Sequence, residues 1–356
     1  MRKLALLLFV WILLGEGLLQ LADRTPAVHA LLMPPWERRA PILRGQGNPY
    51  HPGHDATGYR NAERPTQSEV VILGDSHAYG TGVARDSAWP ALLGAYNMGL
   101  PSYGAVQSLH QLPDALTLNP RLVIVATYLG NDFADAYLAH AETADRQTLE
   151  AEVNTLFQIG GTDSQGVPAW RRWVSAHVKL YALARTVKHR LSPAPVPRML
   201  SRDYDTALAS LSEEQRQYVL PVDSLGWRTL LTPAYRAKVL DDHDPRVQQG
   251  LAYTIEAVRQ IHTQTQAKGI ALLVLILPTK ESVFWPRGDS AVVQRETRLR
   301  EAYTNALHAA GIASLDLLPA LRQSLAQPYF EDVDGHPNEA GHRVIAEAVA
   351  HAIQGM

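Results

Sequence analysis

Four short apolar runs, each ending at or near a glycine, proline or aspartate turn, limit what this chain can fold into. Val70–Leu73 is closed by Gly74, Leu122–Ala126 ends shortly before Gly130, Ile270–Leu277 stops at Pro278, and Ile312–Leu317 follows. The first three are apolar throughout, which is the pattern of strands buried on both faces of a parallel sheet, and the fourth, though it holds Ser314 and Asp316, reads as a further strand. Between the third and fourth runs lies Ala291–Ala310, of helical composition. Val247–Lys268 carries Leu251, Ile255, Val258 and Ile261 at helical spacing. Strands alternating with helices predict a three-layer α/β/α domain with a mostly parallel sheet.

That alternation organises the chain. Residues 1–22 hold Arg2 and Lys3 ahead of an apolar run from Leu4 to Leu14, which Gly15-Glu16-Gly17 interrupts before Leu18–Ala22. A cationic start followed by such a run reads as an export signal. An uncleaved signal anchor, forming an N-terminal membrane helix with the domain on the periplasmic side, is favoured over secretion after cleavage near Ala30. Residues 23–68 read as a linker, and 69–356 as the catalytic domain. Within it, 133–246 interrupts the alternation with helix-like segments and no convincing strand, a helical insertion or lid. There Trp170, Trp173, Leu180, Tyr181 and Val187 share a stripe opposed by arginines and lysines. Such a basic amphipathic helix suits either the core or a membrane surface.

Composition removes several chemistries. The chain has no cysteine, hence no disulfide, thiolate nucleophile or thiolate metal site. Its 33 Lys+Arg nearly balance 35 Asp+Glu, so no electrostatic case for nucleic acid exists.

What remains is oxygen and nitrogen chemistry at strand ends. Gly74-Asp75-Ser76 directly follows the first run, with Gly80 and Gly82 beyond it. A serine there faces the crevice in which open α/β sheets bind ligands. Gly130-Asn131-Asp132 puts a side-chain amide at the same edge. Near the C-terminus, Asp332-Val333-Asp334-Gly335-His336-Pro337 sets a histidine ahead of a helix, with carboxylates two and four residues upstream. Serine, acid and histidine in that chain order can form a hydrolytic triad. Asp334 is the favoured orienter of His336 and Asp332 the alternative acid. His77 reads as a pocket-lining or solvent-facing residue, His342 as structural or surface, and Asp241-Asp242-His243-Asp244 as a helix-entry turn rather than a cation site.

These three blocks, in this order, resemble those of the SGNH/GDSL hydrolases. Gly74-Asp75-Ser76 is similar to the block carrying the nucleophile, Gly130-Asn131-Asp132 to the block whose asparagine binds the oxyanion, and the His336 segment to the last block. Pro278-Thr279-Lys280-Glu281 is similar to periplasmic members related to envelope-glycan O-acetyltransferases. The family's second block supplies a backbone N–H to the oxyanion, usually from glycine; here Ser102 aligns with it and Gly104 lies two residues on. The resemblance implies an ester hydrolase using Ser76, His336 and Asp334. Its oxyanion site would be formed by Ser76, Ser102 or Gly104, and Asn131, with no metal or organic cofactor. The acyl ester would belong to a glycan, lipid or small molecule. An O-acyltransferase and a non-catalytic glycan-binding protein are the alternatives. Serine at 102 is neutral only where that position does not demand a positive φ.

Overall fold

The computed structural model describes residues 2–25, 53–140, 177–191, 203–224, 226–285 and 290–354, with single positions at 28, 32 and 174. In chain order the helices used below are α1 (Arg2–Ala22), α2 (Ser76–Tyr79), α3 (Ala105–Leu116), α4 (Asp132–His140), α5 (Lys179–Leu191) and α6 (Tyr204–Ser210). They continue with α7 (Pro233–Val239), α8 (Pro245–Gln266), α9 (Lys280–Phe284), α10 (Ala291–Ala309) and α11 (Glu339–Ile353). The strands are β1 (Val70–Gly74), β2 (Tyr96–Asn97), β3 (Leu122–Tyr128), β4 (Leu220–Ser224), β5 (Trp227–Leu231), β6 (Ala271–Leu277) and β7 (Ala313–Asp316).

Five strands form a wholly parallel sheet in the order β2-β1-β3-β6-β7. The four apolar runs supply four of them. Side-chain alternation divides their residues between two cores. Val71, Leu73, Val123, Val125, Val274 and Ile276 face α3, α4, α8 and α10, where Leu112, Phe133, Ile261 and Tyr303 meet them. Ile72, Ile124, Ala126, Leu273 and Leu275 face the opposite layer, packing with Trp89, Phe284, Ile345 and Val349. Each buried Val, Leu or Ile in these layers contributes about 1.5–3 kcal/mol of transfer free energy. The result is the three-layer α/β/α architecture that the alternation implies.

The strand order reverses between β1 and β3, since the chain runs outward from β1 to β2 and returns to start β3 on the other side. A crevice opens beyond the carboxyl ends of strands at such a point. The register aligns Gly74 with Ala126 and Tyr128 with Leu277, so β1, β3 and β6 end close together.

Three expectations are corrected. First, among the described residues no helix is long and apolar enough to cross a membrane, so the expected N-terminal membrane helix is not found. The apolar run does form α1, but Glu16, which cuts it, accepts hydrogen bonds from Lys179 N (2.7 Å) and Leu180 N (2.8 Å) at the start of α5. A Lys179–Asp23 ion pair at 2.7 Å joins the same helices.

Second, the interval 133–246 is not helical throughout. It contains the antiparallel hairpin β4–β5, whose Val222 and Leu231 enter the second core. Trp170 and Trp173 lie outside the described residues.

Third, residues 53–68 are not merely a linker. Asp55 accepts bonds from Thr57 N, Tyr59 N and the Tyr96 hydroxyl, and Tyr59 is fully buried. Asn61 donates to Asn97 O and accepts from Asn97 N, which fastens this segment along β2.

Candidate active site

Ser76 opens α2 directly beyond β1. Gly74 makes the turn with φ +152°, and Asp75 caps the helix by accepting His77 N at 2.8 Å. The Asn97–Leu100 segment runs beneath this helix, Met98 N bonding Ile72 O and Leu100 N bonding Gly74 O. A Cβ at Gly99 would lie 2.7 Å from Tyr79 N, so only glycine fits beneath the nucleophile turn without displacing it. From the other side Arg60 donates to the carbonyls of Tyr79, Gly80 and Val83, fixing the chain as it leaves α2.

His336 reaches Ser76 from the loop between β7 and α11. Its Nε2 lies 2.8 Å from Ser76 Oγ and its Nδ1 lies 2.6 Å from Asp334 Oδ1. With Nδ1–H donated to the carboxylate, Nε2 is left as the acceptor for the serine hydroxyl. His336 N also donates to Asp334 Oδ1, at 3.0 Å. Asp332 has a different task, its Oδ1 accepting Asp334 N at 2.9 Å. Of the two candidate acids, therefore, Asp334 is on the imidazole and Asp332 caps the turn. Pro337 lies outside the helix: Asn338 caps α11, accepts from Ala340 N and Gly341 N, and donates to Gln327 O and Tyr329 O.

Electrostatics bias this pair toward charge separation. Burial by itself would raise the Asp334 pKa, but His336 and its N–H donors, with Lys280 nearby, bring it down to about 2. Burial by itself would lower that of His336, but the Asp334 carboxylate opposite holds it above the ordinary 6.5. About a fifth of the His336 side chain stays accessible, at 22%.

A second Asp-x-His pair stands behind the first. His77 Nδ1 lies 3.3 Å from Asp75 Oδ2, its ring stacks on Tyr128 at 3.6 Å, and it lies 4.7 Å from the His336 ring. It is 2% exposed, so it does not face solvent, and the ring nitrogen that meets Ser76 Oγ is Nε2 of His336. Burial drives its pKa down against the pull of Asp75. The only sequence signal for this pair is that 75–77 repeats the Asp-x-His spacing of 334–336. His342 is also buried, Nδ1 accepting Trp89 N at 3.2 Å, and burial pushes it down to about 3.

The oxyanion candidates separate. Ser102 stands at φ +66°, in the left-handed region, so the proviso attached to serine here is not met. Gly104 drops out as a free backbone donor because its N–H goes to Gln107 Oε1 at 3.0 Å, closing the first turn of α3. Asn131 Nδ2 donates to Asp135 Oδ2 at 2.5 Å, which leaves the second N–H of that amide for a ligand. Asp132 is wholly buried with Oδ2 accepting Tyr128 N, and burial first, then Asp75 and Asp135, pushes its pKa well above the ordinary value.

Charged residues missed by sequence reading complete the surroundings. Arg236, on α7 of the insertion, donates from Nη1 to Gly130 O at 3.0 Å and pairs through Nε with Glu281 Oε2 at 3.1 Å. Thr232 N caps the other oxygen of Glu281. Lys280, 1% exposed at the start of α9, lies behind the histidine loop. In the Asp241–Asp244 turn, Asp244 caps α8 and Asp242 binds Arg298. Among the described residues no group of three or more His, Asp or Glu could hold a metal ion.

Residues 235–356 match the family model described as the SGNH hydrolase-like domain of the acetyltransferase AlgX. No curated protein sequence matches the chain. Among solved structures, a putative lipolytic protein of the G-D-S-L family from Desulfitobacterium hafniense DCB-2 aligns at 13% identity and TM-score 0.38, over 81% of this chain and 99% of that one. An acetylxylan esterase from Geobacillus stearothermophilus, crystallised as a catalytic mutant, aligns at 11% identity and TM-score 0.39, over 82% and 95%. A GDSL-like lipase from Bacteroides thetaiotaomicron VPI-5482 aligns at 11% identity and TM-score 0.39, over 80% and 87%. Over its C-terminal third the chain is thus similar to the SGNH hydrolase-like domain of that acetyltransferase.

Proposed function

We propose that the protein is a serine-dependent ester hydrolase that works through a covalent acyl-enzyme. The observation that carries this reading is the unbroken hydrogen-bonded path from Ser76 Oγ to His336 Nε2 to Asp334, at 2.8 and 2.6 Å. Ser76 Oγ attacks the ester carbonyl while His336 takes its proton, and Asp334 stabilises the imidazolium that forms. Collapse of the tetrahedral intermediate breaks the bond to the alcohol, which leaves with the proton from His336. Water then repeats the sequence and releases the acid. The oxyanion would be met by Ser76 N–H in the first turn of α2, by the Ser102 N–H and by the free Asn131 amide proton. Each such donor is worth on the order of 3 kcal/mol.

An acylated envelope glycan or lipid is the proposed substrate class, and the cationic and apolar N-terminus supports an extracytoplasmic location. A second reading, O-acyl transfer in which a glycan hydroxyl replaces water, is favoured by the acetyltransferase-associated domain matched over residues 235–356. The test is turnover of p-nitrophenyl esters of increasing acyl length by wild type and Ser76→Ala, with and without unacylated oligosaccharides. Ester cleavage that needs Ser76 supports the hydrolase, and acylated oligosaccharide in the products supports the transferase. Wild-type turnover retained by Ser76→Ala would contradict both.

A further inference from the structure

The histidine loop holds no helix or strand from Glu331 to Asn338, only an isolated bridge of Pro337 to Tyr329, yet it must keep Asp334 within hydrogen-bonding distance of His336, and His336 within that of Ser76. Beneath it lies a side chain that the acyl-transfer scheme does not use. Lys280 is 1% exposed, and its Nζ donates to the backbone carbonyls of Asp332 and Asp334, the latter at 3.1 Å. These two carbonyls bracket the segment that carries the acid. Lys280 comes from the carboxyl end of β6, a fixed element of the sheet, and Thr279 caps the helix it begins.

A buried ammonium is costly unless it is paired and fully hydrogen-bonded. Its neighbours explain how it is kept. Asp332 and Asp334 face it from the loop, Glu281 adjoins it on its own helix, and Arg236 faces it from α7. Arg236 is already paired with Glu281, so the negative charge nearest Lys280 in the loop is that of the two aspartates.

Building on the Ser76 reading, we propose that Lys280 is a positioning residue. Its ammonium clamps the 332–334 backbone and so sets the distance and orientation of the Asp334 carboxylate toward His336. It touches neither substrate nor the reacting atoms. Displacements of about 1 Å in such a constellation can cost roughly a hundredfold in rate, and that is the size of loss expected on removing the clamp. Burial pushes Lys280 down to about 8 against the pull of the aspartates and Glu281, and Arg236 adds to the push. The clamp therefore weakens as pH rises through about 8, because a neutral amine donates more weakly than an ammonium.

The test is the second-order rate at which a small fluorophosphonate labels Ser76, measured across pH in wild type, Lys280→Met and Lys280→Ala. Lys280→Met is expected to label about a hundredfold more slowly while keeping the wild-type KM for a p-nitrophenyl ester. Lys280→Ala is expected to regain rate with added ethylammonium, which has no effect on wild type. In wild type alone the rate is expected to fall as pH rises through about 8, a readout that stands even where a variant fails to fold. Folded Lys280→Met labelling within twofold of wild type, or a wild-type profile with no alkaline fall, overturns the clamp and leaves the Ser76 mechanism intact. Failure of wild type to form any Ser76 adduct overturns the mechanism itself, and the clamp with it.

Discussion

In both Asp75-Ser76-His77 and Asp334-Gly335-His336 the aspartate Oδ1 accepts the histidine backbone N–H, at 2.8 and 3.0 Å, and the histidine Nδ1 turns back to the same carboxylate. The two pairs differ in what surrounds them. His77 is packed flat on Tyr128 with Nε2 unpartnered among the described residues, and its Nδ1 contact is long, at 3.3 Å. His336 is partly open, its Nδ1 contact is 2.6 Å, and its Nε2 meets the serine. The same Asp-x-His contact thus forms in both, and tertiary placement decides which imidazole reaches the serine. The two pKa values part as well: burial lowers both, and it prevails at His77, whereas the close Asp334 carboxylate overcomes it and holds His336 above the ordinary value.

The comparison can be broken most decisively at the two histidines. His336→Ala is expected to lower kcat by about 10⁴ to 10⁶. His77→Ala should leave the serine, base and acid in line, costing less than about a hundredfold in kcat and roughly 3 kcal/mol of stability through the lost stack. Equal kinetic losses, with both variants folded by circular dichroism, would mean that the inner pair also handles the proton.

At the carboxylates the expected effects are smaller. Asp334→Asn should lower kcat by about 10⁴, because the amide favours the wrong imidazole tautomer. Asp332→Asn keeps an amide oxygen that can accept Asp334 N and removes only a charge, so it should lower kcat far less. The reverse ranking, read from steady-state kinetics, would transfer the orienting role to Asp332.

The pH profile sharpens the same contrast. A general base works as neutral imidazole, so a raised His336 pKa places the acid limb of kcat/KM above 6.5, with activity increasing as pH rises through it. Asp334→Asn should move that limb downward. The Asp334 carboxylate, at about 2 in the fold against an ordinary 3.8, contributes stability that is full above the ordinary value and lost as pH falls through about 2. Acid unfolding of Asp334→Asn should lack that component.

The smallest effect concerns Ser102. A non-glycine residue in the left-handed region costs about 1–2 kcal/mol, so Ser102→Gly should raise thermal stability slightly and leave kcat within about twofold. Destabilisation on that change would show that the serine side chain supplies a contact that offsets the strain.

Much of this was legible in the sequence because it is local. Ser76 follows an uninterrupted apolar strand, and Asp334 and His336 share a turn whose two-residue spacing fixes their contact. Three strands declared themselves by buried apolar runs, and β7, more open and broken by Ser314 and Asp316, by its place after a helix. The two-residue β2 is too short to leave a pattern. The β4–β5 hairpin hides behind Pro221 and Asp223, residue types disfavoured in strands, although Leu220 and Val222 alternate with them toward the core. Residues 53–68 have the composition of a linker and dock only through the Asp55 network with Tyr59 and Tyr96. Lys280 and Arg236 could not be assigned because their partners are distant in sequence: Asp332 and Asp334 for one, Gly130 and Glu281 for the other. Arg236 also shows that the insertion supports the site as well as bordering it.

The central claim is that Ser76 carries the acyl group and that His336, not His77, activates it. Incubating wild type, His336→Ala and His77→Ala with a small fluorophosphonate, then mapping the adduct by peptide mass spectrometry, tests both halves together. A single adduct on Ser76 is expected in wild type and His77→Ala, and almost none in His336→Ala. An adduct on another residue, or equal labelling of Ser76 in His336→Ala, would contradict it.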